Sequence, residues 1–161
     1  MKQVINTISI ICILLFITSC GSLRPVSVTQ NKSLNGYTYF YVMPTSEINS
    51  ISGTTINKQY YTHSRTINPS DLLAGHLMKK GFIRVAEIKP EQAKETFIVC
   101  FSESGRRNLN LGYSIEVTIQ ILAAINNEPL CIVTGEGQGT TEADDVRIAI
   151  NRCMERILDN Q

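Results

Sequence analysis

Motifs that would fix a chemistry are missing from this chain. It holds two histidines, His63 and His76, and neither an HExxH nor a CxxC spacing. A zinc site draws on three or four such ligands, so no metal site is expected. No GK[ST] phosphate loop and no EF-hand pattern occurs, and no cofactor is expected. Charge of one sign is not in excess either. Lysine and arginine number 15 and aspartate and glutamate 14; only Lys2 precedes Cys20, so the chain from Cys20 onward is electrically neutral. Neutrality argues against a nucleic-acid partner, which calls for a basic patch, and against polybasic attraction to anionic lipid.

A long hydrophobic run is also lacking. The longest uninterrupted apolar stretch, Ile10 to Ile17, falls short of the ~20 residues that span a bilayer. What surrounds it is informative: Lys2 stands before it, and Thr18, Ser19, Cys20 and Gly21 follow. A basic start, a short apolar segment and small residues at the end are the parts of a cleaved secretory signal. Ile17, Thr18, Ser19 and Cys20 resemble the lipobox of Gram-negative lipoproteins. That resemblance implies cleavage before Cys20, which then carries a thioether-linked diacylglycerol and an amide-linked acyl chain. One acyl chain holds only marginally, whereas several anchor stably. Gly21 is not the Asp associated with inner-membrane retention, and no acidic run follows. The expected location is the outer membrane, facing the periplasm.

Residues 1–19 are therefore expected to be signal peptide, residues 20–35 a lipidated terminus and flexible tether, and residues 36–161 one domain. The tether reading rests on Ser, Asn, Gln and Thr in Ser22 to Asn35. Within the domain, Gly36 to Met43 is rich in aromatic residues and reads as a strand ending at Pro44. Thr45 to Thr66 reads as a long polar loop that either binds something or hides a strand near Gln59 to Thr62. Asn68, Pro69 and Asp71 form a helix start, and Gly81 a stop. Phe82 to Ile88 and Thr96 to Phe101 read as strands. Tyr113 to Ile125 alternates apolar and polar residues as a half-buried strand does, and Leu130 to Val133 returns as a hairpin. A last helix from about Thr141 buries Val146, Ala149, Ile150, Cys153, Met154 and Ile157. The expected fold is α+β: one mixed or mainly antiparallel sheet of about five strands, with two helices packed on one face.

Candidate sites are few. His63 and Arg65 stand in the polar loop beside Tyr60 and Tyr61. Arg106 and Arg107 are placed at the tip between two strands, where paired guanidinium groups could grip a carboxylate or phosphate, or simply solvate a turn. The glycines of Gly135, Gly137 and Gly139 precede a helix, but their spacing is not GxGxxG. Glu142, Asp144 and Asp145 would also repel a phosphate there, so they read as a strand end turning into the helix. Those three acids are ordinary partners of a helix N-terminus. Cys100, Cys131 and Cys153 sit in apolar segments and are open to one disulfide or to three buried thiols.

The helix DLLAGHLMKKGF, the strand ETFIVCF, the hairpin around INNEPL and the terminal RIAINRCMERIL resemble small Gram-negative cell-envelope lipoproteins of unknown function, over roughly Gly36 to Leu158. The resemblance implies an α+β envelope domain and no catalytic residue. The expected function is a non-enzymatic binding or structural module that meets an envelope protein partner, or a second copy edge to edge as a homo-oligomer. The alternative is a periplasmic hydrolase with its active site near His63. Cys20→Ala should abolish signal processing and membrane attachment while the domain still folds, as fractionation and circular dichroism would show. Retained membrane attachment would contradict the lipid reading.

Overall fold

Alternation along one strand sets the architecture. Ile115, Val117, Ile119 and Ile121 are fully buried, while Glu116, Thr118 and Gln120 between them keep contact with solvent. The computed structural model describes residues 22–56, 59–109 and 112–159. In chain order the elements are β1 (Ser27–Gln30), β2 (Tyr39–Val42), β3 (Ile48–Ile56), β4 (Gln59–Ile67), α1 (Pro69–Lys79), β5 (Ile83–Arg84), β6 (Thr96–Leu109), β7 (Gly112–Ala123), β8 (Pro129–Gly137) and α2 (Glu142–Leu158). Six strands form one sheet in the order β1-β8-β7-β6-β2-β5, and β3 and β4 form a separate two-stranded sheet. Pairing is antiparallel from β1 to β6 and parallel where β2 meets β6 and β5. The fold is α+β with a mixed sheet, but with more strands than the expected five.

Helix signals act as the residues suggest. The Asn68 side chain accepts from the Ser70 N–H at 3.0 Å, and Pro69 opens α1. Gly81 adopts φ +95° just past the helix, a conformation that suits glycine. Thr141 caps α2 by accepting from the Asp144 N–H at 3.2 Å. Val146, Ala149, Ile150, Cys153, Met154 and Ile157 are all buried. They meet Ile119, Ile121 and Val133 on the inner face of the sheet, where α2 lies along β7 and β8 and α1 beside α2. Each large aliphatic side chain taken from water there contributes roughly 1.5–3 kcal/mol. At the other end Phe97 meets Tyr37, Phe40 and Phe82 with ring centroids 5.9, 6.0 and 5.1 Å away.

Four expectations need correction. The stretch Ser22 to Asn35, read as a tether, contains β1, whose backbone pairs with β8, and Leu34, which is 1 % exposed in the core. Thr45 to Thr66, read as a loop that could hide a strand near Gln59 to Thr62, does hold a strand there, β4, but it is longer and pairs with the unforeseen β3 as an antiparallel ribbon, with Ile48 opposite Ile67 and Ile56 opposite Gln59. The strand from Thr96 continues to Leu109, so Arg106 and Arg107 lie within β6 and not at a turn tip. Phe82 to Ile88 shrinks to the two residues of β5. In each case backbone pairing, not side-chain periodicity, decides the outcome.

The three glycines do more than end a strand. Gly135 and Gly137 face α2 from within β8, and a Cβ on Gly135 would stand 2.7 Å from Cys153 Sγ. A Cβ on Gly137 would run into the Asp145 carbonyl oxygen and the Ala149 nitrogen, both backbone. Helix and strand therefore approach to backbone contact. The three cysteines among the described residues are free thiols: Cys131 and Cys153 are buried, Cys100 partly so. Burial pushes the Cys153 thiol up to about 12. Gly137→Ala should cost about 3 kcal/mol, at the top of the overpacking range. Gly105→Ala, whose Cβ would meet only Glu116 Oε1 at 3.8 Å, should cost little. Urea unfolding of the two variants checks this; equal stabilities would refute the close approach.

Candidate functional site

A buried charge marks the end of the sheet where β6, β7 and β8 meet α2. Glu136 follows Gly135 in β8 and points to the outer face, opposite Glu116 of β7. It is 2 % exposed. A carboxylate removed from water requires charged partners, and arginines from two distant segments supply them. Arg107 donates from Nε to Oε1 at 2.9 Å and from Nη2 to Oε2 at 2.6 Å, the bidentate geometry of a strong ion pair. The Arg24 backbone N–H donates to Oε2 at 3.1 Å, and Arg24 Nε lies 3.6 Å from Oε1.

The bulge in β6 makes this pairing possible. Phe97, Val99 and Phe101 face the helices; between Glu103 and Gly105 the register against β7 shifts. One extra residue reverses which positions face outward. Arg107 is thereby turned to the outer face and Arg106 to the helix side. Gly105, without a side chain, leaves a cavity of about 220 Å³ lined by Arg24, Gly105, Arg106, Arg107, Glu116 and Glu136.

The same contacts hold the N-terminal segment down. Arg107 Nη2 also donates to the Ser22 carbonyl at 3.2 Å. From α2, Arg152 donates to the backbone carbonyl of Glu136 and, at 2.8 Å, to that of Arg24. Residues 22–24 are thus bonded to β6, β8 and α2 at once. On the helix side, Arg106 donates to Glu103 at 2.8 Å and to Glu142 at 2.6 Å, and lies 5.6 Å from the centroid of Tyr113. Arg106 and Arg107, adjacent in sequence, do not form one anion grip: they face opposite sides and each already holds carboxylates.

The acids at the start of α2 are likewise engaged. Asp144 accepts from Arg147 at 2.9 Å and from Thr140 at 2.9 Å, which hold its carboxyl below the ordinary range, with a smaller contribution from the charge of Arg65. Asp145 is pushed up by burial, against the pull of the Gly139 N–H that donates to it. The Ala143 N–H donates to Ser50 Oγ of β3 at 2.9 Å, so the ribbon caps the helix. Arg65 is exposed on β4 opposite Ser50, and His63 lies opposite Ser52; the His63 side chain is outside the described residues. Arg65 and Arg106 therefore address different acids of one helical turn, Asp144 and Glu142, while Arg107 is held by Glu136 of β8. His76 bonds Asn151 across the two helices at 2.9 Å. Cys20 lies outside the described residues. Among the described residues no group of three or more His, Cys, Asp or Glu is placed to hold a metal ion, and no helix is long and apolar enough to cross a membrane.

Sequence reasoning named Arg106 and Arg107 but missed Glu136 and Arg24. The available signal was an acid flanked by glycines inside a β-branched strand. Arg107 hydrogen bonding, reinforced by Arg24, holds the Glu136 carboxyl below the usual range against its burial. A depressed carboxyl stabilises the fold fully above its unfolded value, about 4.3, and that stability is lost as pH falls through the lower folded value. Glu136→Gln should lower stability at neutral pH and flatten the acid limb of the stability curve, measured as the urea midpoint against pH. An unchanged acid limb would contradict the pairing.

No protein-family model matches the chain, and no curated protein matches it. Among solved structures it is similar to the PelC dodecamer from Paraburkholderia phytofirmans in two crystal forms. A leucine-to-methionine variant in space group C2 has a TM-score of 0.48 at 13 % identity, covering 83 % of this chain and 92 % of that one. The form in space group P6 has a TM-score of 0.47 at 16 % identity, covering 84 % and 96 %.

Proposed function

We propose that this chain is a lipoprotein of the Gram-negative cell envelope, anchored in the outer membrane through lipid on Cys20 and facing the periplasm, that works as a non-enzymatic binding module. The anchor reading is supported by the signal pattern that ends at Cys20 and by its resemblance to a lipobox. The binding reading is carried by the ribbon of β3 and β4. Two strands alone are marginal in water, and each of these has one edge outside its own pairing. Ile51, in the middle of β3, is 76 % exposed. Such an edge takes an extended polypeptide as an added strand, main chain giving affinity and side chains choice. The partner of this reading is an extended segment of another envelope protein. The hydrolase alternative centres on His63, and no contact described above favours it.

A photocrosslinking side chain at Ile51 tests this in living cells, with the same group at Met78 of α1, 50 % exposed, as the comparison. The expected product is one envelope protein joined at Ile51 and not at Met78. Products identical at both positions would remove the ribbon as the binding element, and a product containing only this chain would identify a second copy in place of another protein.

A further inference from the structure

The bonds to residues 22–24 carry an implication for how the domain sits on its membrane. We infer that the sheet end bearing Arg106, Arg107 and Tyr113 lies against the phospholipid headgroups, so that the anchor fixes the orientation of the domain as well as its location. The inference rests on lipidation of Cys20. Extended chain spans at most ~3.6 Å per residue, so two residues place Cys20 within about 7 Å of Ser22. Ser22 is itself bonded to Arg107 at 3.2 Å, and Arg24 to Glu136 at 3.1 Å. While these bonds hold, the distance between the anchor and the bonded segment is limited to that span.

The residues at that end suit a headgroup layer. Tyr113, the second residue of β7, is 37 % exposed, and Arg106 is held 5.6 Å from its ring centroid. Tyrosine places an apolar ring and a polar tip at the interface, and the charge of Arg106 beside it is balanced by Glu103 and Glu142. Arg24, with 64 % of its side chain exposed, lies beside the cavity that Gly105 opens. The opposite end differs: Ala123, where β7 ends, stands about 33 Å from Tyr113 at ~3.3 Å per residue, and Ile125 lies in the turn beyond it. The ribbon meets the first turn of α2 through Ser50, the same turn whose Glu142 holds Arg106. A partner bound at the ribbon base is thereby met close to the membrane surface.

The chain has no tryptophan, so Tyr113→Trp and Ile125→Trp each introduce a single reporter. The full lipidated chain is placed in phosphatidylethanolamine–phosphatidylglycerol vesicles containing phospholipid brominated close to the headgroup. Tyr113→Trp emission should be lost to bromine quenching, with Ile125→Trp emission retained. A chain that floats with the vesicles but shows quenching at Ile125→Trp, or at neither position, overturns the orientation and leaves the anchor reading standing. A chain that fails to float with them overturns the anchor reading and the orientation together.

Discussion

The buried carboxylate of Glu136 is the constraint on which the functional end of the molecule depends. A charge that is 2 % exposed is unfavourable unless neutralised and hydrogen-bonded on the spot. Its neighbours in β8 are glycines and its neighbour across the pair is Glu116, so the counter-charge must come from elsewhere. Arg107 arrives from β6 across β7, and Arg24 from the segment that precedes β1. Satisfying one side chain thus ties together three parts of the sequence that no local preference would join. The bidentate Arg107 pair, the Arg24 amide and the Arg152 bonds to two carbonyls give the N-terminal segment a defined seat.

Two departures from regular geometry make that seat available. The bulge in β6 reverses the strand's phase, turning Arg107 outward and Arg106 toward Glu142. The glycines of β8 let α2 settle against the strand at backbone distance, which brings Arg152 within reach of the Glu136 and Arg24 carbonyls. Glycine at 135 and 137 is therefore a packing requirement, and the intervening Glu136 points to the opposite face because a strand alternates. The same three residues serve helix packing on one side and charge pairing on the other.

How much of this was legible depends on whether a segment's structure is written in its own side chains. The Asn68 and Pro69 start, the Gly81 stop, the apolar stripe of α2 and the alternation of β7 are local signals, and the structure follows them. β1 carries no such signal: its four polar-to-mixed residues become a strand because β8 offers an unpaired edge. The ribbon was hidden for a related reason, since Ser, Thr and Asn line both of its faces and no apolar side announces a period. Beyond Phe101 the bulge breaks the alternation of β6, and a strand with broken phase reads as a turn. The arginine pair was found by charge, but its carboxylate partner sat inside a glycine pattern that drew notice for phosphate binding, and Arg24 sat in a segment read as tether.

On the proposed anchor at Cys20, a seated segment at residues 22–24 would change what the lipid does: on a loose tether it would confer location, whereas two residues from a bonded segment it would confer orientation as well. That difference rests on the Arg24 amide being held by Glu136. Residue-resolved hydrogen exchange at Arg24 in the chain from Cys20 onward measures it directly. Protection comparable to the ladder amides of β1 and β8 is the predicted result. Exchange at the rate of an unstructured peptide would contradict the account.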